Sequence, residues 1–128
     1  MAAKSILVVE DDPTLVHAIT RNLTVRGYTA RSAMSVAAAL AALKEELPAL
    51  IVLDIDLPDG SGWEVLRALH EEENVHVPAI VMSALRPNPR LCTELKTVGV
   101  LEKPFPMDSL LRMVQQYIGK PEEHSEVG

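Results

Sequence analysis

Leu50-Ile51-Val52-Leu53-Asp54-Ile55-Asp56-Leu57-Pro58-Asp59-Gly60-Ser61-Gly62 is the stretch that decides the fold. The apolar run from Leu50 to Leu53 ends abruptly in Asp54, and a loop carrying Pro58, Gly60 and Gly62 follows. A short continuous apolar run closed by turn residues predicts a strand covered on both faces. Asp54 then lies at the carboxyl end of that strand. In an open parallel α/β sheet this is the edge where ligands bind, so Asp54 is the candidate reactive group.

Upstream, Ile6-Leu7-Val8-Val9 repeats the pattern and also ends in acid, Glu10-Asp11-Asp12. Pro13 suits a first helical position and Asp12 suits the N-cap before it. Leu15, Val16, Ile19 and Leu23 then recur at helical spacing until Gly27 stops the helix. Tyr28 to Arg31 reads as a short edge strand. Ser35 is placed to cap a second helix, Val36 to about Glu46, with Val36, Leu40, Leu43 and Leu47 as its apolar stripe and alanines between them.

Downstream, a third helix is predicted from about Gly62 to Glu73, with Val65, Leu66 and Leu69 inward. Pro78 to Met82 reads as a strand ending at Ser83. Pro87 and Pro89 restrict the next helix to residues after about 89. Val98 to Leu101 is a fifth strand ending at Glu102-Lys103-Pro104, and Met107 to Ile118 is a last amphipathic helix. Residues 4–119 thus read as one domain. Residues 120–128 read as an acidic, disordered tail.

The totals bound the class. A chain of 128 residues, 48% of them apolar, can bury a core without disulfides, and only 3% aromatic content makes that core aliphatic. The single Cys92 fits a reducing compartment. A net charge of -6 argues against direct nucleic-acid binding. No apolar run reaches the roughly 18 residues of a membrane span, and the start does not read as a signal peptide. A soluble cytoplasmic protein is the expectation.

Strand and helix alternate five times, which predicts a flavodoxin-like (βα)5 doubly wound five-stranded parallel sheet in the order 2-1-3-4-5. That order sets the first strand beside the third and brings Glu10 and Asp11 next to Asp54. Carboxylates converging at one edge repel each other. A hard divalent cation with oxygen ligands, Mg²⁺ above all, relieves the conflict. Lys103 brings a positive charge from the fifth strand and Ser83 a hydroxyl from the fourth. Together they describe a site for a phosphoryl group, with Asp54 as nucleophile.

Val8-Val9-Glu10-Asp11-Asp12, Leu53 to Gly62, Met82-Ser83-Ala84 and Glu102-Lys103-Pro104-Phe105 together resemble the signature of bacterial response-regulator receiver domains. The resemblance covers about residues 4–119, and all four motifs stand in order at inferred strand ends. It implies that Asp54 accepts a phosphoryl group from a phosphohistidine on a sensor histidine kinase or phosphotransfer protein. It implies Mg²⁺ on Asp11, Asp54 and the backbone carbonyl of Asp56, with Glu10 contacting it through water. It makes Ser83 the switch hydroxyl and Lys103 the partner of the phosphoryl oxygens, with a cis Lys103-Pro104 bond. An unknown downstream protein is the implied target, with no direct nucleic-acid or membrane contact and a monomer or weak dimer as the oligomeric state.

Two positions depart from the family. Val100 stands three residues before Lys103, where relatives carry Tyr or Phe, and the segment between Ser83 and Lys103 is short. The expectation is an atypical face around the fourth helix, with signalling through the loop after Ser83. A pseudo-receiver, a binding module that keeps the fold without phosphorylation, is the alternative. A phosphatase using the Asp54-x-Asp56 pair is a third class, disfavoured because such a pair opens that fold on its first strand. The remaining candidates have plainer readings. Asp12 is a cap and Asp59 a turn residue. Trp63 and Tyr117 are partly buried, Cys92 is passive, and His17, His70, His76 and His124 lie at the surface. The chain ends soon after its last helix, so the expected output is a docked partner, unless this is a piece of a longer protein.

Overall fold

The computed structural model describes residues 4–72 and 77–121. His76, His124, Glu73 at the end of the expected third helix, and the acids of the tail lie outside the described residues.

The main sheet has five strands, β1 (Ser5–Val9), β2 (Thr29–Ala33), β3 (Leu50–Asp54), β4 (Ala79–Ser83) and β5 (Thr97–Glu102). They run in the order β2-β1-β3-β4-β5, every neighbouring pair parallel. The helices are α1 (Pro13–Val25), α2 (Val36–Glu45), α3 (Trp63–Glu72), α4 (Pro89–Glu94) and α5 (Met107–Ile118). This is the flavodoxin-like arrangement expected from the alternation.

Side chains alternate across a strand, so a strand apolar at every position feeds two cores. Leu7, Val9, Ile51, Leu53 and Val81 point to a layer completed by α2 and α3, through Ala39, Leu43, Leu66 and Leu69, and by Leu95 just past α4. Ile6, Val8, Leu50, Val52, Ile80 and Met82 point to the other, completed by α1 and α5 through Ile19, Leu23, Leu110 and Val114. β3 lies in the middle, and all five of its residues are buried, Asp54 included.

The helix starts follow the sequence. Asp12 accepts a hydrogen bond from Thr14 N at 3.0 Å with Pro13 at the first position of α1, and Ser35 Oγ accepts from Ala38 N at 3.0 Å. Asn88 accepts from Arg90 N at 2.8 Å and opens α4, which is only six residues long and contributes no fully buried residue. That helix ends on Lys96 at φ 57°, the left-handed conformation usually left to glycine.

Three local expectations are corrected. Tyr28 precedes the edge strand; its ring is buried, and its hydroxyl donates to Gly119 O at 2.7 Å. Leu47 is exposed, because Glu46 has already turned to extended backbone and the helical spacing stops before Leu47. Trp63 is buried under the start of α3. One element was not expected, a two-residue antiparallel ladder of Asp56–Leu57 with Gly60–Ser61 that shapes the loop after β3 into a small hairpin. No described helix is long and apolar enough to cross a membrane.

Candidate functional site

Register brings the acids together. Val9 is level with Leu53, so Glu10 and Asp11, which follow β1, emerge beside Asp54 at the end of β3. Oxygens of Glu10, Asp11 and Asp54 lie within 4.8 Å of one another. Glu10 and Asp54 are buried, 1% and 3% exposed, while Asp11 faces solvent.

Lys103, one residue past β5, reaches across this cluster. Its Nζ donates to Glu10 Oε1 at 2.7 Å and to Asp54 Oδ2 at 3.1 Å. The other oxygens of the two acids are filled by backbone: Asp12 N donates to Glu10 Oε2 at 3.1 Å and Asp56 N to Asp54 Oδ1 at 3.0 Å. Charge-assisted bonds of this kind are the strong ones. The Lys103-Pro104 peptide is cis.

Burial pushes the Glu10 carboxyl above its ordinary range. Hydrogen bonds from Lys103 and from the Asp12 N–H pull it back only in part, and the Asp54 charge adds to the rise. Burial alone would lower the Lys103 ammonium; its bonds to Glu10 and Asp54, and their charges, outweigh that and leave it raised. One ammonium against three carboxylates leaves this edge short of positive charge. The donor set is all oxygen, partly buried and open to solvent on the Asp11 side, which fits a hard divalent cation such as Mg²⁺.

Ser83 ends β4 and is buried at the same edge. Its hydroxyl accepts from Leu85 N at 3.2 Å, and its carbonyl accepts from Lys103 N at 2.8 Å. Among the described residues no hydrogen bond joins the Ser83 hydroxyl to Asp54 or Lys103. Asp56 stands at the base of the hairpin, paired with Ser61, with its side chain in solvent. Val100 is 39% exposed on β5, and Cys92, on α4, packs partly buried against the core.

The family profile described as response regulator receiver domain matches residues 6–115. The chain belongs to this family. Among curated receiver-containing relatives, it is 38% identical over 108 residues to the transcriptional regulatory protein KdpE of Mycobacterium tuberculosis, covering 83% of this chain and 47% of KdpE. The chain therefore spans about half the length of that relative. It is 27% identical over 119 residues to the polar-differentiation response regulator DivK of Brucella ovis, covering 91% of this receiver and 97% of DivK. The receiver domain of HemR from Leptospira biflexa superposes with a TM-score of 0.82 at 27% identity, covering 95% of this chain and 99% of that one. The response regulator TrrA of Thermotoga maritima, solved in complex with Mg²⁺-BeF, superposes with a TM-score of 0.78 at 25% identity, covering 90% and 99%.

One contact of this receiver was legible only as a shared edge, and another had no signal in the sequence. The sequence brings Lys103 to the acidic edge, and the structure adds that Glu10, expected to reach a metal through water, accepts a hydrogen bond from Lys103 directly across 93 positions. Asp59 was read as a turn residue, yet its carboxylate accepts from Val36 N at 2.8 Å and Ala37 N at 3.1 Å in the first turn of α2.

Proposed function

We propose that this protein is a phosphoacceptor switch of a two-component or phosphorelay system in the cytoplasm, in which residues 4–119 act as the receiver unit and Asp54 takes the phosphoryl group. The observation that carries the reading is the Lys103 ammonium held between Glu10 and Asp54 at the edge where a third carboxylate, Asp11, also arrives. A buried acid with a fixed cation beside it and two neighbouring acids is suited to nucleophilic attack on phosphorus.

Asp11, Asp54 and the Asp56 carbonyl would hold Mg²⁺, with Glu10 contacting it through a water. When bound, Mg²⁺ supplies charge neutralisation for the incoming phosphoryl oxygens. Asp54 attacks phosphorus in line, the P–N bond of a donor phosphohistidine breaks, and its electron pair returns to the imidazole. Lys103 moves from pairing two acids to pairing Glu10 and the new phosphoryl oxygens. Ser83 gives up Leu85 N and donates its hydroxyl to the phosphoryl group, so the loop after β4 responds.

The donor is a histidine kinase or phosphotransfer protein, and the output is an altered fit to a downstream protein. A groove of about 480 Å³ beside the site, lined by apolar Leu15, Phe105 and Met107 together with polar Asp12, Thr14 and Lys103, would receive a donor helix. The solved complex of TrrA with Mg²⁺-BeF supports the same chemistry for this relative.

The test is incubation with Mg²⁺ and acetyl phosphate followed by intact mass measurement. The expected result is one labile phosphoryl addition that is absent in Asp54→Asn. No addition in the folded wild-type protein rejects the proposal in favour of a pseudo-receiver, a reading that Val100 and the six-residue α4 would then support. Steady hydrolysis of phosphomonoesters points to a phosphatase instead.

A further inference from the structure

We infer that Asp59 is a positioning residue for the acceptor site: by tying the tip of the hairpin after β3 to the first turn of α2, it holds Asp56 where Asp54 and the metal require it. The inference rests on the phosphoacceptor reading above.

The hairpin is tied at its base, where Ile55 N donates to Met82 O at 3.0 Å and Gly62 N to Ile55 O at 2.7 Å. Ser61 N donates to Glu64 Oε2 at 3.0 Å, a bond to the loop's own following helix. The tip, Pro58-Asp59, faces solvent. Leu57 packs partly buried against the core, and the polar tie of the tip to another part of the fold is the Asp59 carboxylate, each oxygen accepting one N–H of α2 across 23 and 22 residues of sequence. Ser35 fills the next N–H, Ala38 N, locally.

A helix start needs no remote acid merely to be finished, since Ser, Thr, Asn or Asp beside it does the same work. The remote tie has a second effect. Asp56 pairs with Ser61, and Leu57 pairs with Gly60, so the paired strands connect the base of the hairpin to Asp59. At the base, Asp56 N–H holds Asp54 Oδ1 at 3.0 Å, and the Asp56 carbonyl is the proposed ligand. Freed at its tip, the hairpin pivots, and the groups that orient Asp54 lose their geometry. Thermodynamic reciprocity then requires that metal binding at the acids tighten the contact at α2.

The experiment compares wild type, Asp59→Ala, Asp59→Asn and Ser35→Ala. Mg²⁺ affinity is read from the fluorescence of Trp63, the chain's single tryptophan, buried just past the loop. Phosphoryl uptake from acetyl phosphate is read by intact mass, and amide exchange is followed at Val36 and Ala37 with and without Mg²⁺. Asp59→Ala is expected to weaken Mg²⁺ about fivefold or more, the usual lower range of coupling between sites, and to slow uptake at subsaturating Mg²⁺. Asp59→Asn keeps one acceptor oxygen and falls between; it carries the test if the alanine variant fails to fold. Ser35→Ala uncaps the same helical turn without freeing the loop and keeps wild-type affinity. In the wild type, Mg²⁺ slows exchange at Val36 and Ala37.

Wild-type Mg²⁺ affinity in a folded Asp59 variant overturns the inference, as does an equal loss in Ser35→Ala. A wild-type protein that neither binds Mg²⁺ nor takes up phosphoryl overturns the phosphoacceptor reading itself, so the two failures are told apart.

Discussion

Gly62 packs so closely on Asp54 that a Cβ added to it would lie 2.3 Å from the Asp54 carbonyl oxygen. The obstacle is backbone, at the end of a buried central strand, and it cannot swing aside as a flexible side chain would. Gly62→Ala must therefore displace Asp54 or the start of α3. The expected cost is about 2 kcal/mol of stability, within the range for overpacking a filled site, measured by urea denaturation. Phosphoryl uptake falls with it, because the acceptor itself has been moved.

Lys103→Met keeps the apolar stem and removes the ammonium, leaving Glu10 and Asp54 buried without their cation. The acids are buried but Lys103 is partly exposed, so the expected loss lies between that of exposed and buried pairs, about 2 kcal/mol at neutral pH. A carboxyl raised in the folded state, as Glu10 is, binds its proton more tightly folded than unfolded. It is destabilising above its folded pKa, and stability returns as the pH falls through that value toward the unfolded one. Without Lys103 the rise in Glu10 grows, so the deficit of the variant shrinks between neutral pH and about pH 5. Urea midpoints across that window, wild type against variant, check it. A deficit that widens in acid contradicts the account.

Asp59 behaves with the opposite sign. The hydrogen bonds from Val36 and Ala37 hold its carboxyl below the ordinary range. Stability from this group is complete above its unfolded pKa and is lost as the pH falls through the folded value. Asp59→Asn is therefore less stable than wild type at pH 7, and the difference begins to fade as the pH falls below about 4, the unfolded value, closing only below the lowered folded value. Thermal midpoints of both proteins from pH 7 down to pH 3 measure this.

Lys96 closes α4 in a left-handed conformation at φ 57°. Glycine adopts that conformation without the Cβ penalty. Lys96→Gly is expected to stabilise the protein by about 0.5–1 kcal/mol, seen as a higher urea midpoint with an unchanged denaturant slope. An unchanged or lower midpoint means that the lysine side chain contributes something that its exposed position does not reveal.

The sequence displayed the parts of the fold that depend on neighbours in the chain. Runs such as Leu50 to Leu53 declared buried strands, and Asp12-Pro13 declared a helix start, because a cap and a fixed φ act within one turn. Once the sheet order followed from strict alternation, the meeting of Glu10, Asp11 and Asp54 was legible as well. What stayed hidden depends on distances between elements. Nothing in Asp59-Gly60 tells a turn acid from one that reaches α2, and the alternation that brings Lys103 to the acidic edge does not say which acids it pairs with. Leu47 misled because its spacing continues the stripe of α2 by one turn after the backbone has already left the helix.

The hold on α2 extends to both of its ends. Arg31 on β2 donates from Nη1 to Ala42 O at 3.1 Å and from Nη2 to Glu46 O at 2.6 Å, at the negative pole of the helix, while Asp59 occupies the positive pole. The first turn of α2 carries no acid of its own. Its run of alanines favours helix, but two of the charges that berth it here belong to other parts of the chain. Grafted onto a foreign scaffold, α2 would keep its propensity and lose its address.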